Sequence, residues 1–225
     1  MIAVPREDYR ELLDELRADI ESMAQEVCAQ LQQALDALEA DDHTLARAVI
    51  DDDEHINQQY LDLESDCVDL IALQQPVASD LRFVVASFKI LTDLERIADL
   101  ATNLARYALA NISEIVSDVR IQQIGETAVS QLRAAVTAYV EADSDGCREI
   151  AARDDELDTL CQNASDVVVR ELVASDTDQW EMEQRLDGIS RLLLTIRDLE
   201  RIGDHAVNIA ARTLYMTDSS DELIY

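Results

Sequence analysis

The chain has 225 residues, 48% of them apolar, with only 4 glycines and 2 prolines; a sizeable core can be buried, and the composition favours an all-α fold of long helices with few turns. Its 48 acidic residues against 18 basic give a net charge of −30, and Lys89 is the single lysine. A surface of that sign repels nucleic acid and anionic lipid, so neither is expected as a partner, and its self-repulsion calls for counterion screening, which points to a salt-rich cytosol.

Six segments carry apolar residues at spacings of three and four, which predicts six helices. The first runs from about Arg6 to Glu39 and ends before Asp41-Asp42-His43-Thr44, where an aspartate can cap the next start. The second reaches about Leu73. Pro76 suits the first turn of the third, which extends to about Ala110. A fourth spans about Ser113 to Glu141 and a fifth about Cys147 to Val173. After the polar turn Ser175-Asp176-Thr177-Asp178, a sixth spans about Trp180 to Met216. Residues Thr217 to Tyr225 are expected to be a loose tail. The four cysteines, Cys28, Cys67, Cys147 and Cys161, have no CxxC spacing and read as reduced, buried small residues. The start of the chain has no basic stretch followed by an apolar run, and no run approaches 18 uncharged apolar residues. A cytoplasmic protein without membrane insertion is expected.

An internal repeat organises these helices. Asp93-Leu94-Glu95-Arg96-Ile97-Ala98-Asp99 returns as Asp198-Leu199-Glu200-Arg201-Ile202-Gly203-Asp204, at an offset of 105. Glu39-Ala40-Asp41 matches Glu141-Ala142-Asp143 at 102, and Asp53 with Ile56 matches Asp154 with Leu157 at 101. The chain is therefore expected to be two tandem three-helix bundles, residues 1–111 and 112–216, with the tail after them.

Glu95 and Asp99 lie about 40° apart on one helix face with Asn103 another 40° round, and Glu200, Asp204 and Asn208 repeat the pattern. These stripes flank the apolar arc, which places them on the bundle surface. Asp53, Asn57 and Glu64 form a second row on the preceding helix of the first half, and Asp154 with Asp158 occupies the matching place in the second. Facing rows of carboxylates repel unless protonated or bridged, so a hard divalent or trivalent metal is the economical resolution. In so acidic a chain, an i,i+4 acidic pair is most often a solvated face; the recurrence at one phase, with the same asparagine one turn on, is what favours a site. There is no Glu-x-x-His motif, HExxH, glycine-rich phosphate loop or nucleophile elbow, so no enzyme is expected. His205, whose repeat partner is Leu100, is assigned to packing or surface, and Cys161 to a buried structural role.

The strings Ile71-Ala72-Leu73-Gln74-Gln75-Pro76-Val77-Ala78-Ser79-Asp80-Leu81-Arg82, Asp93 to Ile97, and Asp198 to Ala210 resemble the PhoU family, and the resemblance extends from about Arg10 to Leu214. It implies tandem three-helix bundles whose E/D-x-x-x-D motifs hold iron, zinc or other metal ions such as manganese or magnesium. Here those motifs are Glu95 with Asp99 and Glu200 with Asp204, backed by the rows on the preceding helices. It also implies a regulator without catalysis. Such a regulator restrains a high-affinity phosphate ABC transporter by contacting its ATPase subunit, placing it peripherally at the membrane, and acts where present on a phosphate-sensing histidine kinase. A homodimer is the expected assembly. Departures from the family pattern fall at Tyr60, where relatives often carry an acid, and between the halves, where Asn57 answers Asp158 and Glu64 answers Ser165. Two other readings stand beside this one: a structural helical adaptor whose acidic stripes are salt adaptation alone, and a hydrolase using a carboxylate-bridged metal cluster.

Overall fold

The computed structural model describes residues 6–74, 76, 78–110, 119–174 and 179–224. These form six helices: α1 (Arg6–Ala40), α2 (His43–Gln74), α3 (Ala78–Ala108), α4 (Ile121–Glu141), α5 (Ser144–Ala174) and α6 (Gln179–Asp218). No helix among the described residues is long and apolar enough to cross a membrane.

The α1–α2 and α4–α5 connections are built alike. Asp41 (φ 50°) and Ala142 (φ 52°) take the left-handed conformation that ends a helix. The following aspartates, Asp42 and Asp143, donate their backbone N–H to Ala37 O and Ala138 O, closing the preceding helix. Each then caps the next helix. Asp42 Oδ1 accepts the N–H groups of Thr44 and Leu45, and Asp143 Oδ1 those of Asp145 and Gly146. The offset at this turn is thus 101, one less than the Glu-Ala-Asp match suggests, and α5 begins at Ser144, ahead of the expected Cys147. A left-handed alanine costs about 1 kcal/mol relative to glycine. Ala142→Gly is therefore expected to stabilise the protein by about that amount, read as a higher denaturant midpoint; an unchanged or lower midpoint would contradict the strained turn.

Three other boundaries differ from expectation. Pro76 lies outside any helix, and α3 starts two residues later, at Ala78. That helix ends at Ala108, two residues short of the expected Ala110, and Leu109 and Ala110 form a turn. Val119 and Arg120 are not helical and α4 starts at Ile121, while the remainder of its expected first turns, from Ser113, lies outside the described residues, as does the polar turn at 175–178. The tail is not loose. α6 continues to Asp218, and Arg148 on α5 reaches Asp218 (3.1 Å) and Glu222 (2.7 Å), while Ser144 Oγ donates to Asp218 Oδ1 (2.6 Å) and Leu223 packs on the core.

Within each half the three helices pack on one another, but the halves do not close separately. α3 packs against α6, and α1 against α4, so one apolar core runs through both. This explains why α3 buries more than a single stripe, from Phe83 and Val84 through Ile90, Leu94, Ile97 and Leu104. Between halves, the Phe83 and Tyr139 rings stack at 6.4 Å, and the Tyr139 hydroxyl sits 2.8 Å from Ser87 Oγ. All four cysteines are free and buried.

Candidate metal centre

In the second half, α5 and α6 bring both expected rows together. The close approach is set at Gly203, where a Cβ would run into Leu157 and stand 3.4 Å from Asp154 Oδ1. Asp154, Asp158, Glu200 and Asp204 all have their carboxyl groups pushed above the usual range, first by desolvation and then by one another's charge. Gln131 Nε2 donates to Asp154 Oδ1 (2.9 Å) and fixes that carboxylate from α4. Arg201, the arginine inside the repeat, turns away to Asp198 (3.8 Å), so no arginine bridges the four among the described residues. Cys161 lies beneath them, its thiol pushed up to about 12 by burial and then by these carboxylates, consistent with an inert structural sulfur.

The first half is closer to satisfied. Thr102 Oγ1 donates to Asp53 Oδ1 (3.0 Å) and receives a bond from Gln30 Nε2 (3.4 Å), while Asn57 Nδ2 donates to Asp53 Oδ2 (3.3 Å). Arg96 lies over Glu95 (3.4 Å) and Asp99 (3.3 Å). Glu95, expected at the surface, has a side chain only 17% exposed, and its carboxyl is raised by desolvation and then by Asp99. Glu64 does not join this group. It stands three turns along α2 from Asp53, beside Cys67. Asn103 is engaged by Arg106 Nη1 (2.9 Å).

The donors fit a hard cation in type and charge, most fully in the second half, where four carboxylates from two helices face each other and, among the described residues, none is held in a direct ion pair. They stand as two rows, however: among the described residues no three His, Cys, Asp or Glu side chains converge as an ion would require.

Sequence reasoning missed the first aspartate of each repeat. Asp93 Oδ1 is 2.9 Å from His205 Nδ1 and accepts Asn208 Nδ2 (3.4 Å), so both α6 residues turn toward the first half. Asp198, buried on α6, accepts the Tyr107 hydroxyl (3.0 Å) from α3. The assignment of His205 to packing or surface therefore gives way to a polar bond across the α3–α6 seam. Tandem bundles joined by such a seam, with paired acidic rows, define an all-helical protein of two repeated three-helix units.

The PhoU domain model matches residues 20–108 and again 121–213, and the chain belongs to the PhoU family. It is 34% identical over 212 residues to the phosphate-specific transport system accessory protein PhoU homolog of Pseudomonas putida, covering 93% of this chain and 80% of that protein. The PhoU protein of Escherichia coli K12 is 30% identical over 211 residues, covering 93% and 85%. Among solved structures, PhoU from Pseudomonas aeruginosa superposes with a TM-score of 0.83 at 32% identity, covering 94% of this chain and 100% of that one. The phosphate transport system regulatory protein PhoU from Streptococcus pneumoniae gives 0.86 at 26%, covering 96% and 99%. These relatives are named as accessory and regulatory proteins of phosphate transport.

Proposed function

We propose that this chain is a cytoplasmic regulator of phosphate uptake that restrains a high-affinity phosphate ABC transporter through its ATPase subunit and, where one is present, a phosphate-sensing kinase. The observation that carries the reading is the doubled PhoU match over nearly the whole chain, joined to relatives named for the phosphate-specific transport system. In this reading, Asp154, Asp158, Glu200 and Asp204 hold a hard metal ion, and Asp53, Glu95 and Asp99 hold a second, more weakly because Arg96 already neutralises part of their charge. Bound metal would hold the facing rows of each bundle together.

The test is deletion of the gene in its own host, with phosphate uptake followed at high external phosphate. Uptake is expected to rise several-fold and to return to the parental rate when the chain is restored. An unchanged rate would overturn the regulator. A structural adaptor, favoured by the rows' failure to converge, predicts metal-free protein when it is purified without added metal, which elemental analysis of the same preparation reads directly.

A further inference from the structure

Among the described residues the exposed large apolar side chains occur in both halves, Leu12, Leu61, Val68, Ile71, Leu81 and Val85 in the first and Val169, Val173, Leu186 and Leu194 in the second, and Leu12 lies where the start of α1 meets the end of α2. Between α1 and α2 at that end runs a groove of about 290 Å³ whose apolar floor is Leu12, Leu16 and Leu70. Its length from Leu12 to Asp19 is about 10 Å, nearly two turns of helix. Carboxylates of Glu15, Asp19, Asp66 and Asp69 wall it. Desolvation and then Asp19, Asp69 and Asp62 push the Asp66 carboxyl above its ordinary value. No lysine or arginine among the described residues bridges any of these walls.

At the offset of 101 that aligns the two halves, Asp19, Asp62, Asp66 and Asp69 are answered by Arg120, Asn163, Val167 and Arg170. The charge at these four positions is thus kept on one bundle only, beside the apolar floor. The charge also selects the occupant. A second copy of this chain, itself at −30, would be repelled, and an anionic lipid surface likewise.

We propose that this groove docks a basic amphipathic helix of a partner protein, its apolar side on Leu12, Leu16 and Leu70 and its arginines or lysines against Asp19, Asp66 and Asp69. The inference names a surface and the chemistry of its occupant, and it stands whether or not the transporter reading does.

The experiment places a photo-crosslinking residue at Leu12 in the full chain, expressed in its host, and maps the crosslinked segment by mass spectrometry. The expected adduct is a segment with lysines or arginines along one helical face and apolar residues along the other. Adduct yield is expected to fall about five-fold or more with Asp19→Asn, Asp66→Asn and Asp69→Asn combined. It should persist with Asp36→Asn, Glu39→Gln and Glu126→Gln, which change the net charge equally at exposed positions elsewhere. Circular dichroism checks each variant's fold, and Asp69→Asn alone is read in the same way if the triple variant unfolds. Equal loss in both triple variants, an adduct with lipid, with a second copy of the chain or with an acidic segment, or no adduct would overturn the proposal.

Discussion

In dilute buffer at pH 7 the protein is expected to melt on the order of 10 °C below its melting temperature in molar salt, given roughly 2–4 °C per kcal/mol for a chain of this size. Lowering the pH toward 5 at low salt is expected to recover much of that difference. The carboxyl groups of Asp66, Glu95, Asp154, Asp158, Asp198, Glu200 and Asp204 are all raised in the folded state, in each case first by desolvation. A raised carboxyl holds its proton in the folded chain at a pH where the unfolded chain has released it. Stability is then greatest below the ordinary values, 3.8 for aspartate and 4.5 for glutamate, and falls as pH rises through the raised ones. Asp218 is lowered by its bonds to Ser144 and Arg148 and acts in the opposite sense, losing its contribution as pH falls, but it is one group against seven. Salt screens the repulsion among neighbouring carboxylates and leaves the desolvation part, so the pH slope should shrink in molar salt without vanishing. Thermal unfolding on a grid of pH 5 to 7 and low to molar salt checks this. Melting temperatures that ignore salt, or that climb with pH at low salt, would show the repulsion to be absent.

Replacing both Glu200 and Asp204 by alanine is expected to weaken manganese binding at the second half by a factor on the order of 100 or more, because two of four anionic oxygen donors are removed. Binding at the first half should persist, since Asp53, Glu95 and Asp99 come from α2 and α3 alone. The fold should gain stability, as the double variant removes the Asp204 charge that helps to raise Asp154. Calorimetric titration of wild type and variant at high salt reads both events. A variant that binds as wild type does would make the stripe a solvated face. Loss of both events together would show that the seam through His205 and Asp93 transmits the change.

The six helices were legible because apolar spacing and the two Asp caps agree, and the repeat located the acidic rows on neighbouring helices. Helix ends were less so. Pro76 is compatible with a first turn by its fixed φ, but only the chain path decides whether the helix has begun. The seam was hidden for a different reason. Asp93 and Asp198 repeat as faithfully as Glu95 and Glu200, so repetition could not tell an interfacial acid from a row member. Of their three partners only Asn208 repeats, as Asn103: His205 stands opposite Leu100, and Tyr107 opposite Arg212. A motif search discards such residues. Glu64 was misplaced by phase alone, since a residue can share a helix face with Asp53 and still stand about 16 Å away along the axis.

The crossed bonds at the seam set the molecule apart from a dimer of two identical units. In a dimer of identical three-helix units, a two-fold axis would give each aspartate of the repeat the same neighbour on the opposite unit. Here Asp93 meets a histidine and an asparagine, whereas Asp198 meets a tyrosine. The seam joins two like units through unlike contacts, so each half is the specific complement of the other. Two copies of the first half joined end to end would bring asparagine and tyrosine to the seam but no histidine, since Leu100 stands where His205 does.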